Sequence, residues 1–260
     1  MRIATFNVNS VKARLPNVLE WLRSAKPDVA LLQEIKTPPE GFPLLEFEAA
    51  GYRCVVHGQK SYNGVAILAR KEIGAIEDVR EGLPEGNGDD HARYVEATVA
   101  GVRVASIYLP NGNPIGTEKF SYKLAWMDRL YLHARALLAT EQPVVLGGDY
   151  NVCPTDADLW DPVVMANDAL VQPKSRARFR SLLHLGYTEA WRALHPDAVH
   201  QYSFWDYQAG RWQKDQGLRI DHLLLSPQAA DRLADCQIDR QPRAMPKSSD
   251  HTPVWVDLTA

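Results

Sequence analysis

Apolar runs typical of buried strands alternate along the chain with helical patterns, and four of these runs border a short polar cluster. The runs span 3–6, 29–32, 144–146 and 254–258, and the clusters beside them are Phe6-Asn7-Val8-Asn9, Gln33-Glu34, Asp149-Tyr150-Asn151 and Ser249-Asp250-His251. Alternating strands and helices predict an α/β layered fold. Because ligands of open α/β sheets bind beyond the strand ends, the clusters predict a shared site. Their carboxylates, carboxamides and imidazole suit a hard cation and the hydrolysis of a phosphate ester.

The remaining elements follow from residue spacing. Helical patterns cover 15–22, 118–139 and 176–185, whereas β-rich segments cover 52–57, 64–69, 94–99, 102–109 and 219–225. Asn63-Gly64 and Ala100-Gly101 predict hairpins among these strands. The pattern aromatic-Asn-Val occurs at 6–8 and again at 150–152, which raises the hypothesis of two strand ends related by an internal twofold. No linker interrupts the chain, so we predict one domain over 1–260.

Composition narrows the class of protein. Hydrophobic residues make up 45% of the 260 residues, which supports a folded core. The net charge of −3 argues against a uniformly basic nucleic-acid coat but leaves room for a local basic patch. Three widely spaced cysteines without a CxxC pair favour neither a disulfide framework nor a zinc ribbon. The N-terminus has no signal-peptide pattern and no run approaches the roughly 18 apolar residues of a membrane helix, so we expect a cytoplasmic protein without a membrane partner.

Asp149 and Asn151 are the first candidates for chemistry. Two residues apart in an extended chain, they point to the same side. Asp149 can take a proton from water or bind a cation, and Asn151 can donate an N–H to a phosphate oxygen. Gly147 and Gly148 before them allow a close approach of backbone or substrate. The alternative is a turn in which both side chains satisfy backbone amides.

Three further residues extend this candidate site. Glu34 follows a buried strand, where a divalent cation is a natural partner, although a surface-loop carboxylate is the alternative. His251, next to Asp250, can act as acid or base or neutralise phosphate charge. Asp221 interrupts an apolar strand and is the candidate that holds the His251 ring in one tautomer. A buried ion pair with Arg219 is the competing role for Asp221.

Other clusters carry weaker signals. Asp89-Asp90-His91 has metal-binding residue types but lies in a Gly-rich loop, so we favour a solvated loop over a metal site. The basic run Lys174, Arg176, Arg178 and Arg180 suits either a phosphate-tracking surface or the solvated side of a helix. Phe204 and Trp205 suit stacking on a sugar or base, or burial in the core. The nucleotide-binding, zinc-protease and serine-hydrolase signatures GxxxxGK[ST], GxGxxG, HExxH and GxSxG do not occur.

Eight motifs, in order along nearly the whole chain, resemble the exonuclease III family of DNA repair enzymes, which comprises exodeoxyribonucleases and class II abasic-site endonucleases. They are Thr5-Phe6-Asn7-Val8-Asn9-Ser10, Leu32-Gln33-Glu34-Ile35-Lys36, Tyr62-Asn63-Gly64-Val65-Ala66, Tyr108-Leu109-Pro110-Asn111-Gly112, Lys123-Leu124-Ala125-Trp126, Gly148-Asp149-Tyr150-Asn151, Gly217-Leu218-Arg219-Ile220-Asp221 and Ser249-Asp250-His251-Thr252-Pro253-Val254. The resemblance implies a four-layer α/β sandwich of two mixed sheets flanked by helices.

The resemblance also implies a set of catalytic and metal-binding residues. It implies Mg²⁺ or Mn²⁺ on Glu34, with Asp250, Asn7 and Asn9 nearby and with Asp149 and Asn151 completing the metal-site set. Asp149 would activate water or protonate the leaving oxygen, and Asn7 would position Asp149. Asn151 would hold a phosphate oxygen, which Tyr108 and Asn111 would also contact. His251, oriented by Asp221, would stabilise the charge that develops on phosphorus.

The resemblance further implies double-stranded DNA with abasic sites or recessed 3′ ends as the partner of a monomeric enzyme. The DNA-binding residues that it implies are Arg14, Lys36, Asn63, Phe204, Trp205, Leu218, Arg219 and Ile220. Phe204, Trp205, Leu218 and Ile220 among them would line a pocket for a flipped abasic sugar. Leu218 stands where some relatives have a larger aromatic residue, and 169–175 matches no family motif.

Two other functions compete with this prediction. A phosphatase or phosphodiesterase of the wider superfamily acting on phosphoinositides would have a membrane-facing apolar loop and other motifs around the last strands. A catalytically inactive DNA-binding protein would lack a metal or acid–base residue, and all of those named above are present. The segment 123–126 and the segment 218–221 favour DNA over the lipid substrate. We therefore expect a metal-dependent phosphodiesterase that cleaves 5′ to abasic sites and trims 3′ ends.

Overall fold

The computed structural model describes residues 1–86 and 88–260, and its strands within these ranges form two six-stranded mixed sheets. The first sheet has the spatial order β11 (Leu233–Ile238), β12 (Val254–Leu258), β1 (Arg2–Asn7), β2 (Val29–Gln33), β4 (Val65–Arg70), β3 (Tyr52–His57). The second has the order β5 (Ile76–Glu81), β6 (Tyr94–Val99), β7 (Val102–Tyr108), β8 (Val144–Asp149), β10 (Asp221–Leu225), β9 (Thr188–Glu189). Each sheet has one parallel pair, β1–β2 or β7–β8, and its other pairs are antiparallel.

The helices lie outside the two sheets or at their edges. They are α1 (Leu15–Ala25), α2 (Leu44–Ala49), α3 (Glu118–Leu138), α4 (Pro173–Leu185), α5 (Ala190–Leu194), α6 (Pro227–Ala230) and α7 (Gln241–Ala244). The apolar clusters place α1 and α2 on the first sheet and α3 and α4 on the second. This arrangement confirms the predicted four-layer α/β sandwich. No helix in the described ranges is both long and apolar enough to cross a membrane.

Both faces of the central strands are buried because alternate side chains enter different apolar layers. In β1, Ile3 packs between the sheets, and Phe6 on the opposite face meets Trp21 of α1 edge-to-face at a centroid distance of 5.4 Å. In β8, Val145 enters the layer between the sheets and Leu146 faces α3. The two sheets are therefore fixed against each other, and so are the strand ends that carry the polar clusters.

Most predicted elements are present with shifts of one to three residues at their ends. The turn Ala100-Gly101 joins β6 to β7, and both residues have positive φ (48° and 78°), as a tight hairpin requires. The predicted helix 176–185 begins earlier, at Pro173, which suits the first turn of a helix. The edge strands β5, β9 and β11 were not predicted. β5 escaped because its residues are mostly charged and exposed, as edge strands often are.

The predicted internal twofold exists, but it equates different strand ends from those expected. The correspondence that preserves chain order matches β1–β4 with β7–β10 and β11–β12 with β5–β6, and strand directions agree throughout. The contacts between the sheets follow the same correspondence, because β1 contacts β8 and their equivalents, β7 and β2, also contact each other. Asn7 at the end of β1 therefore corresponds to Tyr108 at the end of β7. The hypothesis that 6–8 and 150–152 are symmetry-related is wrong.

Candidate active site

The predicted site residues converge at one end of the two packed sheets. Asn7 ends β1, Glu34 follows β2 directly and Asp149 ends β8. Asp221 begins the antiparallel strand β10 and pairs in register with Asp149, and His251 precedes β12. Side chains from strands that end here and from strands that begin here therefore lie at the same edge. The expectation that the four polar clusters share one site agrees with this arrangement.

A buried polar bridge joins the two sheets beneath this edge. Gln33 is fully buried; its Nε2 donates to Ser106 Oγ in the other sheet at 2.9 Å, and its Oε1 accepts from Thr5 Oγ1 at 3.1 Å. Ser106 Oγ in turn donates to the carbonyl of Leu32 at 2.8 Å. Because a buried amide left unpaired would be costly, the bridge fixes the register of one sheet on the other. The bridge thereby also positions the site residues at the adjacent strand ends.

Asn7 connects a carboxylate from each sheet. Its Nδ2 donates to Glu34 Oε1 and to Asp149 Oδ2, both at 2.9 Å, and its Oδ1 accepts from the backbone N–H of Asn9 at 3.1 Å. The side chain is fully buried, so these contacts are not shared with bulk water. The prediction that Asn7 positions Asp149 agrees with this geometry, and the structure adds Glu34 to its partners.

Glu34 sits on a backbone turn that residues of its type rarely adopt. Its φ is 49°, and the turn is held by hydrogen bonds from Ser10 N to the Glu34 carbonyl at 2.7 Å and from Ile35 N to Gly64 O at 3.1 Å. Such strain concentrates at functional sites. Burial of the carboxyl opposes its ionisation, but the charge of Lys36 and hydrogen bonds from Lys36 and Asn7 outweigh it and lower the pKa of Glu34. Glu34 is therefore an anion at neutral pH.

Asp221, His251 and Asp149 form a buried chain of interactions. His251 Nδ1 lies 2.8 Å from Asp221 Oδ2, and Nε2 lies 3.7 Å from Asp149 Oδ2. Ser203 Oγ donates to the same Asp221 oxygen at 2.6 Å. Asp221 thus orients His251, as predicted, and is not paired with Arg219.

Charges in this chain set the protonation states. Burial alone would lower the pKa of His251, but the charges of Asp221 and Asp149 outweigh it and raise the pKa to about 10. Burial raises the pKa of Asp149 to about 7, against the opposing effect of the His251 charge. His251 is therefore an imidazolium at neutral pH, while Asp149 can exchange a proton close to neutrality.

The donor set fits a hard divalent cation. Ligand atoms of Glu34, Asp149 and His251 lie within 4.8 Å of one another. His251 is an imidazolium held by Asp221, so it has no lone pair to offer and the carboxylate oxygens of Glu34 and Asp149 remain. Asp250 lines the same cavity, and its Oδ1 accepts from Asn9 Nδ2 at 3.0 Å. Oxygen donors of this kind suit Mg²⁺ or Mn²⁺ and not a soft metal.

Asn151 and Asn111 form a hydrogen-bonded wall beside Asp149. Asn151 N donates to Asp149 Oδ1 at 2.9 Å, its Nδ2 donates to the Leu109 carbonyl at 2.8 Å, and Asn111 Nδ2 donates to Asn151 Oδ1 at 3.1 Å. Each amide nitrogen keeps a second hydrogen for another acceptor. The fully buried amino group of Lys123 donates to the Asn111 and Asn151 carbonyls and holds both backbone segments in place.

The same polar groups line a cavity of about 400 Å³ together with several apolar side chains. Phe204, Leu218 and Ile220, all predicted, line it, and the Phe204 ring packs on His251 at a centroid distance of 4.8 Å. Trp160 and Met165 also line it. They were missed because they lie in the irregular segment 153–172, where no periodicity marks a wall residue.

Three residues that were predicted near the substrate have defined contacts. Lys36 Nζ lies 2.8 Å from Glu34 Oε2, and its backbone N–H donates to the Asn63 carbonyl at 3.0 Å. The Asn63 side chain is almost buried and donates to Gln59, so it supports the Lys36 turn from behind. Burial and the carboxylates of Glu34 and Asp149 raise the pKa of Tyr108, which is therefore a neutral hydroxyl donor at the cavity wall.

Two predicted DNA contacts are wrong because the structure buries their side chains. The Arg219 guanidinium is 2% exposed and is paired at 2.8 Å with Asp158 and with Glu189. Trp205 is fully buried and donates its indole N–H to Asp215 at 3.0 Å. Both residues support the segment that carries Phe204 and Leu218. Their place within family-like motifs did not distinguish this supporting role from contact with a ligand.

The residues that gave weaker functional signals in the sequence have structural roles. Asp89 accepts a hydrogen bond from Tyr122 Oη at 2.9 Å and is paired with Arg129, whose charge balances that of its carboxylate. In the basic run, Arg176 pairs with Asp156 at 2.9 Å, and Arg178 pairs with Asp128 of α3 at 2.8 Å. Two of the four cations of the run are thus ion-paired on the side of α4. Gly147 and Gly148 serve packing, because a Cβ would meet Leu31 at 2.6 Å or the Ile107 carbonyl at 2.0 Å respectively.

Comparison with known proteins places this geometry among enzymes. The Endonuclease/Exonuclease/phosphatase family matches residues 4–251. Exodeoxyribonuclease III of Haemophilus influenzae is 32% identical over 276 aligned positions, with 99% of this chain and all of the relative covered. A solved 3′ phosphatase, NExo from Neisseria, bound to a product DNA hairpin, superposes with a TM-score of 0.95 at 39% identity over the full length of both chains. A solved AP endonuclease from Archaeoglobus fulgidus gives 0.94 at 36% identity, also over both full chains.

Proposed function

The chain belongs to the endonuclease/exonuclease/phosphatase family, and from this premise we propose that it is a divalent-metal-dependent DNA repair nuclease. It hydrolyses phosphodiester bonds in duplex DNA, cleaving 5′ to abasic sites and removing nucleotides or blocking groups from 3′ ends. The names of the relatives support this, since they include an exodeoxyribonuclease, an AP endonuclease and a 3′ phosphatase bound to DNA.

The observation that carries the proposal is the convergence of Glu34, Asp149 and His251. Their ligand atoms lie within 4.8 Å of one another at the mouth of the cavity, although they come from three distant parts of the chain. An anionic carboxylate, a carboxyl that exchanges its proton near neutrality and an imidazolium are the groups that hydrolysis of a phosphodiester needs. Positioning and charge stabilisation supply most of the catalysis for such a reaction.

Asp149 is the proposed proton-transfer group. With a pKa of about 7, its carboxylate can accept a proton from the attacking water, and its acid form can protonate the leaving oxygen. Asn7 fixes one of its oxygens and the Asn151 N–H fixes the other, so the reacting oxygen is held in place. A bound Mg²⁺ or Mn²⁺ on Glu34, with Asp250 nearby, would supply Lewis-acid polarisation of the phosphate and leave Asp149 to exchange its proton.

His251 and the carboxamides stabilise the negative charge on the phosphate. The His251 imidazolium, held by Asp221, points its Nε2–H towards the cavity side occupied by Asp149. Asn111, Asn151 and Tyr108 add neutral donors in the same cavity. Because the site is largely buried, these interactions are stronger than they would be in water.

The apolar walls determine which DNA groups enter. Phe204, Leu218 and Ile220 form an apolar side of the cavity that would receive a sugar without its base. DNA contacts through Arg14 and Lys36, a single catalytic domain over 1–260, a monomeric enzyme and a cytoplasmic location are further parts of the proposal. A phosphoinositide substrate is the alternative, and the names of the relatives favour DNA over it.

The test compares three duplexes in the presence of Mg²⁺: one with an internal abasic site, one with an intact recessed 3′ terminus and one with a 3′ phosphate. We expect turnover on at least the first, loss of turnover in EDTA, and recovery when Mg²⁺ or Mn²⁺ is added back. Glu34→Gln should lower turnover by about 10³-fold or more, because it removes an anionic oxygen donor.

Glu96→Gln is the matched control for this variant. Glu96 is a buried carboxylate paired with His133 at 2.8 Å, and it does not line the cavity. Its loss should lower stability and leave turnover of folded protein near that of the native enzyme. Undiminished cleavage in EDTA would refute the metal-dependent proposal, and turnover of a phosphoinositide in place of every DNA duplex would favour the alternative.

A further inference from the structure

A second cavity lies next to the candidate active site and shares no lining residue with it. Its volume is about 600 Å³, and it is lined by Ala13, Arg14, Tyr207, Trp212, Gln213, Arg243, Ala244, Met245, Lys247 and Ser248. These residues come from the turn before α1, the loop after Trp205 and the segment around α7. Three of them are cationic, and none of these ten described residues carries a carboxylate, in a chain whose net charge is −3.

Arg243 is the residue that makes this cavity unusual. Only 7% of it is exposed, yet its partners are neutral: Nη1 donates to Ser248 Oγ at 3.2 Å, and Nη2 donates to the Trp205 carbonyl at 3.0 Å. Its buried Nε has no partner. A guanidinium is always charged, and a buried charge is normally paired with an opposite one. An anion in the cavity would supply the missing partner.

The neighbouring Arg240 has a similar aromatic contact but is paired with a carboxylate. Both guanidinium groups stack on Trp212, Arg240 at 5.3 Å and Arg243 at 5.2 Å from the ring centroid. Arg240, however, is paired with Asp215 at 2.8 Å and lies outside the cavity lining. Arg240 therefore has a hydrogen-bonded carboxylate and Arg243 has none, although the charge of Asp250 acts on Arg243 from a distance.

Tyr207 links the cavity to the active site. Its hydroxyl accepts from Arg14 Nη2 at 3.0 Å and donates to the Ser248 carbonyl at 2.8 Å. The same hydroxyl lies 3.5 Å from Asn9 Nδ2, which donates to Asp250 at the metal side of the active site. Two hydrogen-bonded side chains thus separate the two cavities. A strand whose reacting phosphate lies at Asp250 can place another phosphate at Tyr207.

We propose that this second cavity is a subsite for a non-reacting backbone phosphate of the bound DNA, held by Arg14, Arg243 and Lys247. Arg243 supplies the buried charge, Arg14 is oriented by Tyr207, and the exposed Lys247 closes the rim. The subsite anchors the duplex so that the scissile phosphate meets Asp149. This inference rests on the proposed DNA substrate and adds a site for its recognition.

Binding of a fluorescent abasic duplex in EDTA, where turnover is not expected, tests the subsite through Arg243→Met. The substitution keeps most of the side-chain volume and leaves no carboxylate unpaired. We expect the dissociation constant to rise about tenfold, since a hydrogen bond to a charged group is lost, and the slope of log affinity against log salt to fall by about one. Arg240→Met is the matched control and should leave both quantities near their native values.

A scan of single methylphosphonate linkages identifies the contact. At one linkage the neutral group should weaken native binding and abolish the difference between the native protein and Arg243→Met. The inference is overturned if Arg243→Met binds like Arg240→Met, or if its deficit persists at every linkage. Should Arg243→Met fail to fold by its melting curve, Lys247→Ala at the exposed rim decides in the same way. Native protein that binds no DNA would instead refute the proposed function.

Discussion

Replacing Asp221 by asparagine should lower the pKa of His251, which is charged at neutral pH in the native protein, by about two units. Asn keeps the size of the side chain and its hydrogen bond with Ser203, but it removes the negative charge 2.8 Å from His251 Nδ1. The imidazolium then loses the partner that its charge most depends on. We expect turnover of an abasic duplex to fall by about twofold at pH 8 and by about tenfold at pH 9, because His251 of the variant then loses the proton that makes it a charged donor to the phosphate.

The magnitude follows from the pKa of His251. The interval from 6.5 to about 10 corresponds to about 5 kcal/mol of preference for the charged form. Asp149 and Asp250 contribute to that preference, so roughly half of it, about 2–3 kcal/mol, belongs to Asp221. Loss of this share should bring the pKa of His251 down to about 8. The alkaline limb of the pH–rate profile should move down by about the same amount.

Stability gives an independent measurement with a defined sign. Because the folded-state pKa of His251 lies above its unfolded value, its contribution to stability is complete below pH 6.5 and is lost as the pH rises towards 10. Urea unfolding of the native protein should therefore show a fall in free energy of unfolding between pH 7 and 10. In Asp221→Asn most of that fall should disappear.

Glu96→Gln separates this effect from a general loss of stability. It removes another buried carboxylate, which lies 2.8 Å from the imidazole of His133 and does not line the cavity. The control should unfold at lower urea and keep the native pH–rate profile. An Asp221→Asn enzyme whose alkaline limb coincides with that of the native protein would refute the reasoning, whatever its turnover.

Three other changes test separate parts of the structure. Asn7→Ala should lower kcat by about 10²-fold with little change in KM, because the two carboxylates lose their shared donor and their alignment; steady-state kinetics measures the split. Leu218→Ala should widen the apolar wall and lower the ratio of abasic-site cleavage to 3′-end trimming by several-fold, measured on paired duplexes. Gly148→Ala should destabilise the fold by about 3 kcal/mol or more in urea, because its Cβ would meet the Ile107 carbonyl at 2.0 Å; an equally stable variant would contradict the packing described.

Much of the fold was predictable because its buried strands are short apolar runs between turn residues. β3 and β6 were predicted with the observed ends, since Tyr52–His57 and Tyr94–Val99 are β-rich and bounded by breakers. β5 and the two-residue β9 were missed because their pairing depends on neighbouring strands and not on local propensity. Strand order between the sheets is equally invisible to local patterns.

The candidate site was predictable in its residues but not in its contacts. Each polar cluster follows or precedes an apolar run, and that position alone identified Glu34, Asp149 and His251. The sequence could not show that Glu34 has a positive φ, or that Asn7 donates to both carboxylates, since both depend on how the sheets pack. Arg219 and Trp205 were wrongly predicted to contact DNA, because a position within a motif does not show whether a side chain faces the cavity or the core.

The internal twofold explains why a single cleft receives one carboxylate from each half. Matching β1–β4 with β7–β10 makes Gln33 equivalent to Asp149, because Gln33 pairs with Asn7 in β1 and Asp149 pairs with Tyr108 in β7. Equivalent strand ends therefore lie face to face where the sheets pack. In the first half this position is Gln33, whose buried amide is hydrogen-bonded to the other sheet. The carboxylate of that half comes one residue later, at Glu34, where φ is positive. The halves have thus diverged into an ionised oxygen donor and a proton-exchanging acid, and neither half alone contains both groups.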